Sequence, residues 1–156
     1  MKKSIFEPGV KEELLQRLNK LQEDTKPKWG IMTARQVTRH MTMAYQVQLG
    51  ELPIPDRSNF MTRTVLRYFL LSGMVPSPEQ AKKRPAQTQP ELNVVERKIE
   101  TGDLATEKTL LIKSMERFIA LNDYPNRHFL IGRMKKKHWG YWAFSHMHYH
   151  LTQFGL

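Results

Sequence analysis

The sequence predicts an all-α protein, a four-helix bundle with one extra short helix and long loops. Leucines recur at the spacing of one helix face, as in Leu14, Leu15, Leu18 and Leu21. Proline-rich connections separate such segments, and the alternating pattern that is typical of strands is nearly absent. At 156 residues the chain has the length of a single domain, so we expect one bundle over residues 1–156.

The first two helices have recognisable starts. Pro8 suits a first helical turn, and we expect the first helix over residues 8–23. Thr33, followed three residues later by Gln36, has the pattern of a capping box. We therefore expect the second helix over residues 33–49.

The middle of the chain is expected to be less regular. Residues 60–71 have the spacing of a short helix, whereas residues 72–90 are rich in proline and predict a long loop that covers the mouth of the bundle. The best strand signal is the segment 92–95. Long connections after the second helix leave room for a crossover between helices.

Two more long helices complete the predicted bundle. Asp103 or Thr106 is a suitable N-cap for a helix that ends near residue 121. A loop over residues 122–132 follows, and the last helix is expected over residues 135–154.

Composition excludes several classes of protein. The chain has no cysteine, which excludes disulfides and thiolate metal sites. The first residues lack the apolar stretch of a signal peptide, and no apolar run reaches the roughly 18 residues that a transmembrane helix needs. We therefore expect a cytoplasmic protein with no membrane partner.

The net charge of +10 raises the hypothesis of a nucleic-acid or acidic partner. The basic residues are dispersed, however, and the densest runs, at residues 133–138 and 82–84, do not lie in a nucleic-acid-binding motif. We favour an ordinary solvated surface for these charges and keep the nucleic-acid partner as the alternative.

The last helix places two histidines on its apolar face. With about 100° per residue, His146 and His150 lie about 40° apart in a stripe with Trp142, whereas His148 lies on the opposite side. Two imidazoles one turn apart can bind the same metal ion, as in the zincin helix. The glutamate of that motif is missing, which argues against a metalloprotease.

The second helix places a third histidine on its buried face, because His40 lies between Val37 and Ala44 on the helical wheel. Buried histidines are neutral and keep a free nitrogen lone pair. The pattern predicts that His40, His146 and His150 converge on one divalent ion, such as Zn, Ni or Fe, with a coordination position left for water or substrate. The alternative is that the three are hydrogen-bonded core residues.

Other residues are candidates for roles around this site. Gln36 and Gln153 lie on buried faces and either orient the histidines or bond to the backbone. Trp142 is a candidate for lining a pocket, although large aromatic side chains more often belong to the core. We expect His128, in a predicted loop, and Glu107 to lie at the surface, with a place for His128 at the mouth of the site as the alternative.

Two motifs resemble a known family. Residues 29–40 read Trp-Gly-Ile-Met-Thr-Ala-Arg-Gln-Val-Thr-Arg-His, and residues 146–155 read His-Met-His-Tyr-His-Leu-Thr-Gln-Phe-Gly. They are similar to Trp-Gly-x-Met-(Ser/Thr)-x-x-Gln-x-x-x-His and His-x-Asp-His-His-x-x-Gln-Phe-Gly, found in an uncharacterised bacterial branch of the DinB/YfiT-like superfamily of metal-binding four-helix bundles. The sequence departs from that pattern at His148 and Tyr149, where the branch has Asp and His. Tyr149 is therefore a further candidate for the pocket or for orienting a ligand.

The resemblance implies an up-down-down-up crossover bundle with His40, His146 and His150 as the metal ligands. Some members of the superfamily are thiol-dependent S-transferases, which use bacillithiol, mycothiol or glutathione. We therefore expect a metal-dependent enzyme, an S-transferase or a hydrolase, with a small-molecule substrate and, for a transferase, a low-molecular-weight thiol cofactor. The sequence assigns no catalytic residue. The alternative is a non-enzymatic binding protein or a homodimeric scaffold in which the histidines are structural.

Overall fold

The computed structural model describes residues 2–83 and 88–156, and this part of the chain is mostly helical. Its α-helices are α1 (Val10–Asn19), α2 (Ala34–Gln48), α3 (Arg67–Leu70), α4 (Pro78–Lys83), α5 (Leu104–Ile119) and α6 (Lys136–Gln153). A π-helical turn (Thr62–Leu66) leads into α3, and a 3₁₀ turn covers Pro90–Leu92. The short strands β1 (Arg127–His128) and β2 (Gly132–Arg133) pair antiparallel. The predicted dominance of helix is confirmed.

The capping box at the start of α2 is confirmed. The Gln36 N–H donates to Thr33 Oγ1 over 3.3 Å, and the Thr33 N–H donates to Gln36 Oε1 over 2.9 Å. The Gln36 side chain therefore bonds to the backbone and does not orient a histidine. The start of α5 is capped by Asp103, whose carboxylate accepts from the Thr106 N–H over 2.8 Å.

The core lies where the long helices meet. Helix α2 packs against α5 and α6, and α1 packs against the other side of the core along α6. The largest side chains with almost no exposure include Leu14, Leu18, Met41, Tyr45, Met115, Phe118, Trp139 and Met147. Burial of such side chains contributes about 1.5–3 kcal/mol each, so these contacts hold α2 and α6 together and position what lies between them.

The prediction that Glu107 lies at the surface is wrong. Its side chain is completely buried and makes a bidentate ion pair with Arg39, over 2.6 and 2.8 Å. The Gly102 N–H also donates to this carboxylate over 2.7 Å. A carboxylate with this many donors tolerates burial, so the ion pair ties α5 to α2 one residue before His40.

The prediction of a strand over residues 92–95 is also wrong. Pro90 starts the 3₁₀ turn, and the Asn93 side chain accepts from the Glu96 N–H over 3.1 Å, which closes a further turn. Leu92 and Val94 still become buried, against Met43 of α2. The apolar residues of the segment therefore reflect burial in a turn and not strand pairing.

The predicted loop over residues 72–90 contains a short helix. Ser77 starts α4 by accepting from the Gln80 N–H over 3.3 Å, while the Ser77 N–H donates to Gln80 Oε1 over 2.9 Å. Residues 84–87, and with them Arg84 of the second basic run, lie outside the described residues.

The segment 60–69 turns most of its apolar side chains outward, while Leu66 packs against the core. Five of them are more than half exposed: Phe60, Met61, Val65, Tyr68 and Phe69. Arg67 is half-buried and bonds to β2 and the start of α6, whereas Arg63 is exposed and lays its side-chain stem against Gly132 of β2. None of the helices in the described residues is long and apolar enough to cross a membrane.

Candidate metal centre

The structure brings His40, His146 and His150 together between α2 and α6. One ring nitrogen from each lies within 4.8 Å of the others, and the Nε2 atoms of His40 and His146 are 3.3 Å apart. His148 lies elsewhere, with its Nδ1 atom 2.8 Å from an Arg17 nitrogen. Helical phasing therefore selected the histidines that converge.

The ring of His40 is oriented by the backbone. Its Nδ1 atom lies 2.9 Å from the carbonyl oxygen of Leu92. A carbonyl oxygen only accepts, so Nδ1 carries the proton and Nε2 keeps its lone pair. The turn that replaces the predicted strand thus determines which nitrogen of His40 is free.

Gln153 performs the same function for His150. Its amide nitrogen donates to the Trp29 carbonyl over 2.7 Å, which leaves its oxygen 3.0 Å from His150 Nδ1. The His150 proton therefore lies on Nδ1, and Nε2 is free. Gln153 therefore has both of the predicted roles: its amide nitrogen bonds to the backbone, and its amide oxygen orients His150.

His146 is held by stacking and has no such partner. Its ring is nearly parallel to that of Trp142, with an interplanar angle of 8° and centroids 5.5 Å apart. Within the described residues its buried Nδ1 atom has no hydrogen-bond partner. Its Nε2–H can donate to the free Nε2 of His40, so its tautomer, unlike those of His40 and His150, is not set by a carbonyl or an amide.

Electrostatics keep the three rings neutral. Burial lowers the pKa of His40 and lowers that of His146 well below its usual value. Burial, followed by the proximity of His40, lowers the pKa of His150 to about 3. Neutral imidazoles with free lone pairs are the form that binds metal ions.

The donor set fits a divalent ion. Two nitrogen ligands at about 2.0–2.1 Å from a tetrahedral Zn²⁺ lie about 3.3 Å from each other, as the Nε2 atoms of His40 and His146 do. Three imidazoles suit Zn, Ni or Fe. Their outer nitrogens are bonded to a carbonyl for His40 and to an amide for His150, an arrangement common around metal ligands.

Tyr149 and Trp142 lie beside the triad. The Tyr149 hydroxyl accepts from Trp29 Nε1 over 3.3 Å, and its ring meets His150 edge to face, with centroids 5.1 Å apart. Trp142 is 4% exposed and belongs to the core as well as supporting His146. Both therefore fix the surroundings of the ligands.

The prediction that His128 lies at the surface is wrong. It is 3% exposed, because β1 and the turn after it fold it against Phe129 and Trp139. Its Nδ1 atom accepts from the N–H groups of Leu130 and Ile131, over 3.1 and 3.4 Å. Burial and the charge of Arg67 lower its pKa to about 3.

Sequence reasoning missed the backbone groups that orient His40 and His150. The carbonyls of Leu92 and Trp29 have no signal of their own, since every residue has a carbonyl. Gly30 is different: it adopts a φ of +86°, and a Cβ atom there would collide with the amide nitrogen of Gln153. The Trp29-Gly30 pair in the sequence could therefore have indicated a close backbone approach at this position.

Comparisons with known proteins add a family. No curated protein and no solved structure matches the chain. A family model described as "Protein of unknown function (DUF1569)" matches residues 10–155, a span that begins with α1 and includes all three histidines. This covers nearly the whole sequence, and the chain belongs to the DUF1569 family.

Proposed function

We propose that this protein is a divalent-metal-dependent enzyme in which His40, His146 and His150 hold the ion. The observation that supports this most directly is the orientation of two histidine rings. His40 bonds through Nδ1 to Leu92 and His150 bonds through Nδ1 to Gln153, so each ring keeps a free lone pair on Nε2. Buried lone pairs near one another are unfavourable unless a proton or a cation lies between them. The Nε2–H of His146 can serve only one of the two lone pairs, whereas a bound ion satisfies both.

The surroundings favour an ion that acts on a small molecule. His146 is partly exposed, whereas His40 and His150 are buried. We infer from this that a small molecule reaches the triad past His146. Trp142 holds the His146 ring in place, and the Tyr149 ring meets His150 edge to face. When bound, a divalent ion lowers the pKa of a thiol or a water molecule in its remaining coordination position.

For the reaction, we propose transfer from a low-molecular-weight thiol, with hydrolysis by a bound water as the second candidate. The support is the similarity of residues 29–40 and 146–155 to the DinB/YfiT-like superfamily, together with a set of three donors, one fewer than a tetrahedral ion requires. The basic net charge favours an anionic thiol as the cofactor.

We also propose that α1, α2, α5 and α6 form a crossover four-helix bundle with up-down-down-up topology. These are the long helices of the described chain, and α2 packs against both α5 and α6 while α1 packs against α6. The long connection between α2 and α5 provides the crossover.

The test of the metal centre is the metal content of the purified protein after loading with Zn²⁺, Ni²⁺ or Fe²⁺. We expect one ion per chain, lost in His40→Ala, His146→Ala and His150→Ala. His148→Ala is the matched control, because His148 lies on the same helix and bonds to Arg17 outside the triad. A protein that binds none of these ions, and whose thermal unfolding they do not shift, would contradict the proposal.

The test of the reaction is consumption of bacillithiol or glutathione in the presence of a haloalkyl electrophile. We expect turnover by the metal-loaded protein and none by the chelator-treated one. If the ion binds but neither thiol transfer nor ester hydrolysis occurs, the enzymatic part of the proposal is wrong while the metal site stands.

A further inference from the structure

A second candidate site lies away from the metal centre, between the segment 62–70 and the start of α6. It is an open cavity of about 720 Å³. Its basic lining consists of Arg63, Arg67, Arg133, Lys135 and His138, which we call the basic pocket. No carboxylate and none of the three converging histidines lines it.

The arginines of this pocket differ from most others in the chain. Five arginines pair with carboxylates: Arg35, Arg39, Arg57, Arg117 and Arg127. Within residues 2–83 and 88–156, Arg63, Arg67 and Arg133 make no such pair.

The carboxylate that lies near the pocket is already neutralised. Arg63 donates to Ser58, which also accepts from Arg127, and Arg127 is paired with Asp56. The positive charge of the basic pocket is therefore not balanced by neighbouring acidic groups.

Arg67 is held rigidly in this pocket. One terminal nitrogen donates to the carbonyls of Ile131 and Arg133, over 3.1 and 2.6 Å, and the other lies 2.9 Å from His138 Nδ1. These bonds use three of the five N–H donors of a guanidinium, which leaves two for a ligand. Burial lowers the pKa of Arg67, as expected for a cation placed in the fold without a carboxylate.

The start of α6 adds further positive charge to the basic pocket. This helix has no acidic residue in its first turn. Its N-cap N–H, that of Lys135, donates to His138 Nδ1 over 3.1 Å, so the cap is an imidazole and not a carboxylate. The N-terminus of a helix carries positive partial charge, so lysines there are electrostatically unfavourable. An anion in the basic pocket would offset both this cost and the unpaired charge of Arg67.

We propose that the basic pocket binds the phosphate group of a small phosphorylated molecule. Arginine forks match phosphate oxygens in pairs, and the positive end of the α6 dipole favours an anion beside it. The cavity has the size of small-molecule sites, roughly 300–1,000 Å³. This site is independent of the proposed metal centre and of its reaction.

The test is calorimetric titration with inorganic pyrophosphate at constant ionic strength, about 0.15 M, where long-range attraction is screened. We expect saturable binding of one pyrophosphate per chain. The double variant Arg133→Gln/Lys135→Gln should lose at least tenfold in affinity, because both side chains line the cavity without supporting the core. The matched control is Lys20→Gln/Lys113→Gln, which removes the same charge from exposed positions elsewhere.

Two further measurements show whether pyrophosphate binds at the basic pocket or at the metal centre, and whether the pocket prefers a small molecule, DNA or a membrane. His150→Ala should bind pyrophosphate as the wild type does, since pyrophosphate held by a metal ion would be lost in this variant. Duplex DNA and vesicles containing phosphatidylglycerol are tested alongside. Equal loss in both double variants, loss in His150→Ala, or binding of DNA or vesicles without binding of pyrophosphate would each overturn the proposal.

Discussion

The Gln153 side chain joins Trp29 to His150, across more than a hundred residues of sequence. Its amide nitrogen donates to the Trp29 carbonyl over 2.7 Å, and its oxygen accepts from His150 Nδ1 over 3.0 Å. The carbonyl decides which end of the amide faces His150, and through it which nitrogen of His150 is free. The chain segment before α2 thereby sets the orientation of His150, a candidate metal ligand near the end of α6.

Replacing Gln153 tests this connection. Gln153→Ala removes both hydrogen bonds, leaves the Trp29 carbonyl without its partner and frees the His150 ring to rotate. We expect a loss of about 1–3 kcal/mol in the free energy of unfolding and a decrease in metal affinity of about 10–100-fold. Chemical denaturation and titration against a chromophoric chelator measure the two effects. Gln16→Ala, at an exposed position of α1, is the control. Unchanged metal affinity in Gln153→Ala would show that the amide stabilises the fold but does not orient the ligand.

Gly30 should be required for the same contact. In Gly30→Ala the new methyl group meets the amide of Gln153 and also forces alanine into a positive φ. Gly50→Ala is a matched control, because Gly50 has a φ of +76° but nothing lies within 4 Å of a Cβ atom there. Both variants should lose about 1–2 kcal/mol in unfolding free energy from the backbone alone, and only Gly30→Ala should lose metal affinity in a chelator competition. Equal affinities in the two variants would disprove the steric argument.

Loss of the buried ion pair between Arg39 and Glu107 should lower the free energy of unfolding more than loss of a surface ion pair. Arg39→Ala leaves the buried Glu107 carboxylate without its cation, and we expect a loss of about 3–5 kcal/mol in unfolding free energy. Arg35→Ala, which breaks the exposed pair with Glu23, should cost only about 0–1 kcal/mol. Urea denaturation of the two variants compares them directly. Similar losses would mean that α2 and α5 do not depend on the ion pair.

The buried histidines should make the metal-free protein sensitive to mild acid. The pKa of His128 is about 3 in the folded protein and about 6.5 in the unfolded chain. The unfolded chain therefore binds the proton first. The stability that neutral His128 contributes is complete above pH 6.5 and decreases as the pH falls toward 3, by about 1.4 kcal/mol per pH unit. His40, His146 and His150 act in the same direction.

His128→Asn isolates one of these contributions. The asparagine oxygen can still accept from the N–H groups of Leu130 and Ile131, but it does not titrate. We expect lower stability at pH 7, from lost ring packing, and a shallower decrease between pH 6.5 and 5. The free energy of unfolding, measured by urea denaturation with a chelator present, gives the slope. An unchanged slope would show that His128 is protonated equally in both states.

The local sequence determined the helices and the faces they bury. The Thr33 capping box, the spacing of the leucines in α1 and the inward phase of His40, His146 and His150 all follow from the helical period and from bonds within a few residues. These features could be predicted because the residues involved lie close together along the chain.

Only the tertiary structure decided what each of these residues contacts. Glu107 and His128 become buried because Arg39 and the turn after β1 provide partners that no short-range pattern encodes. Segment 92–95 forms no strand, because its apolar side chains are buried in a turn against α2. The free nitrogens of His40 and His150 depend on the carbonyls of Leu92 and Trp29. A main-chain carbonyl has the same chemistry at every position, so only the folded arrangement of distant segments can decide which one orients a ligand.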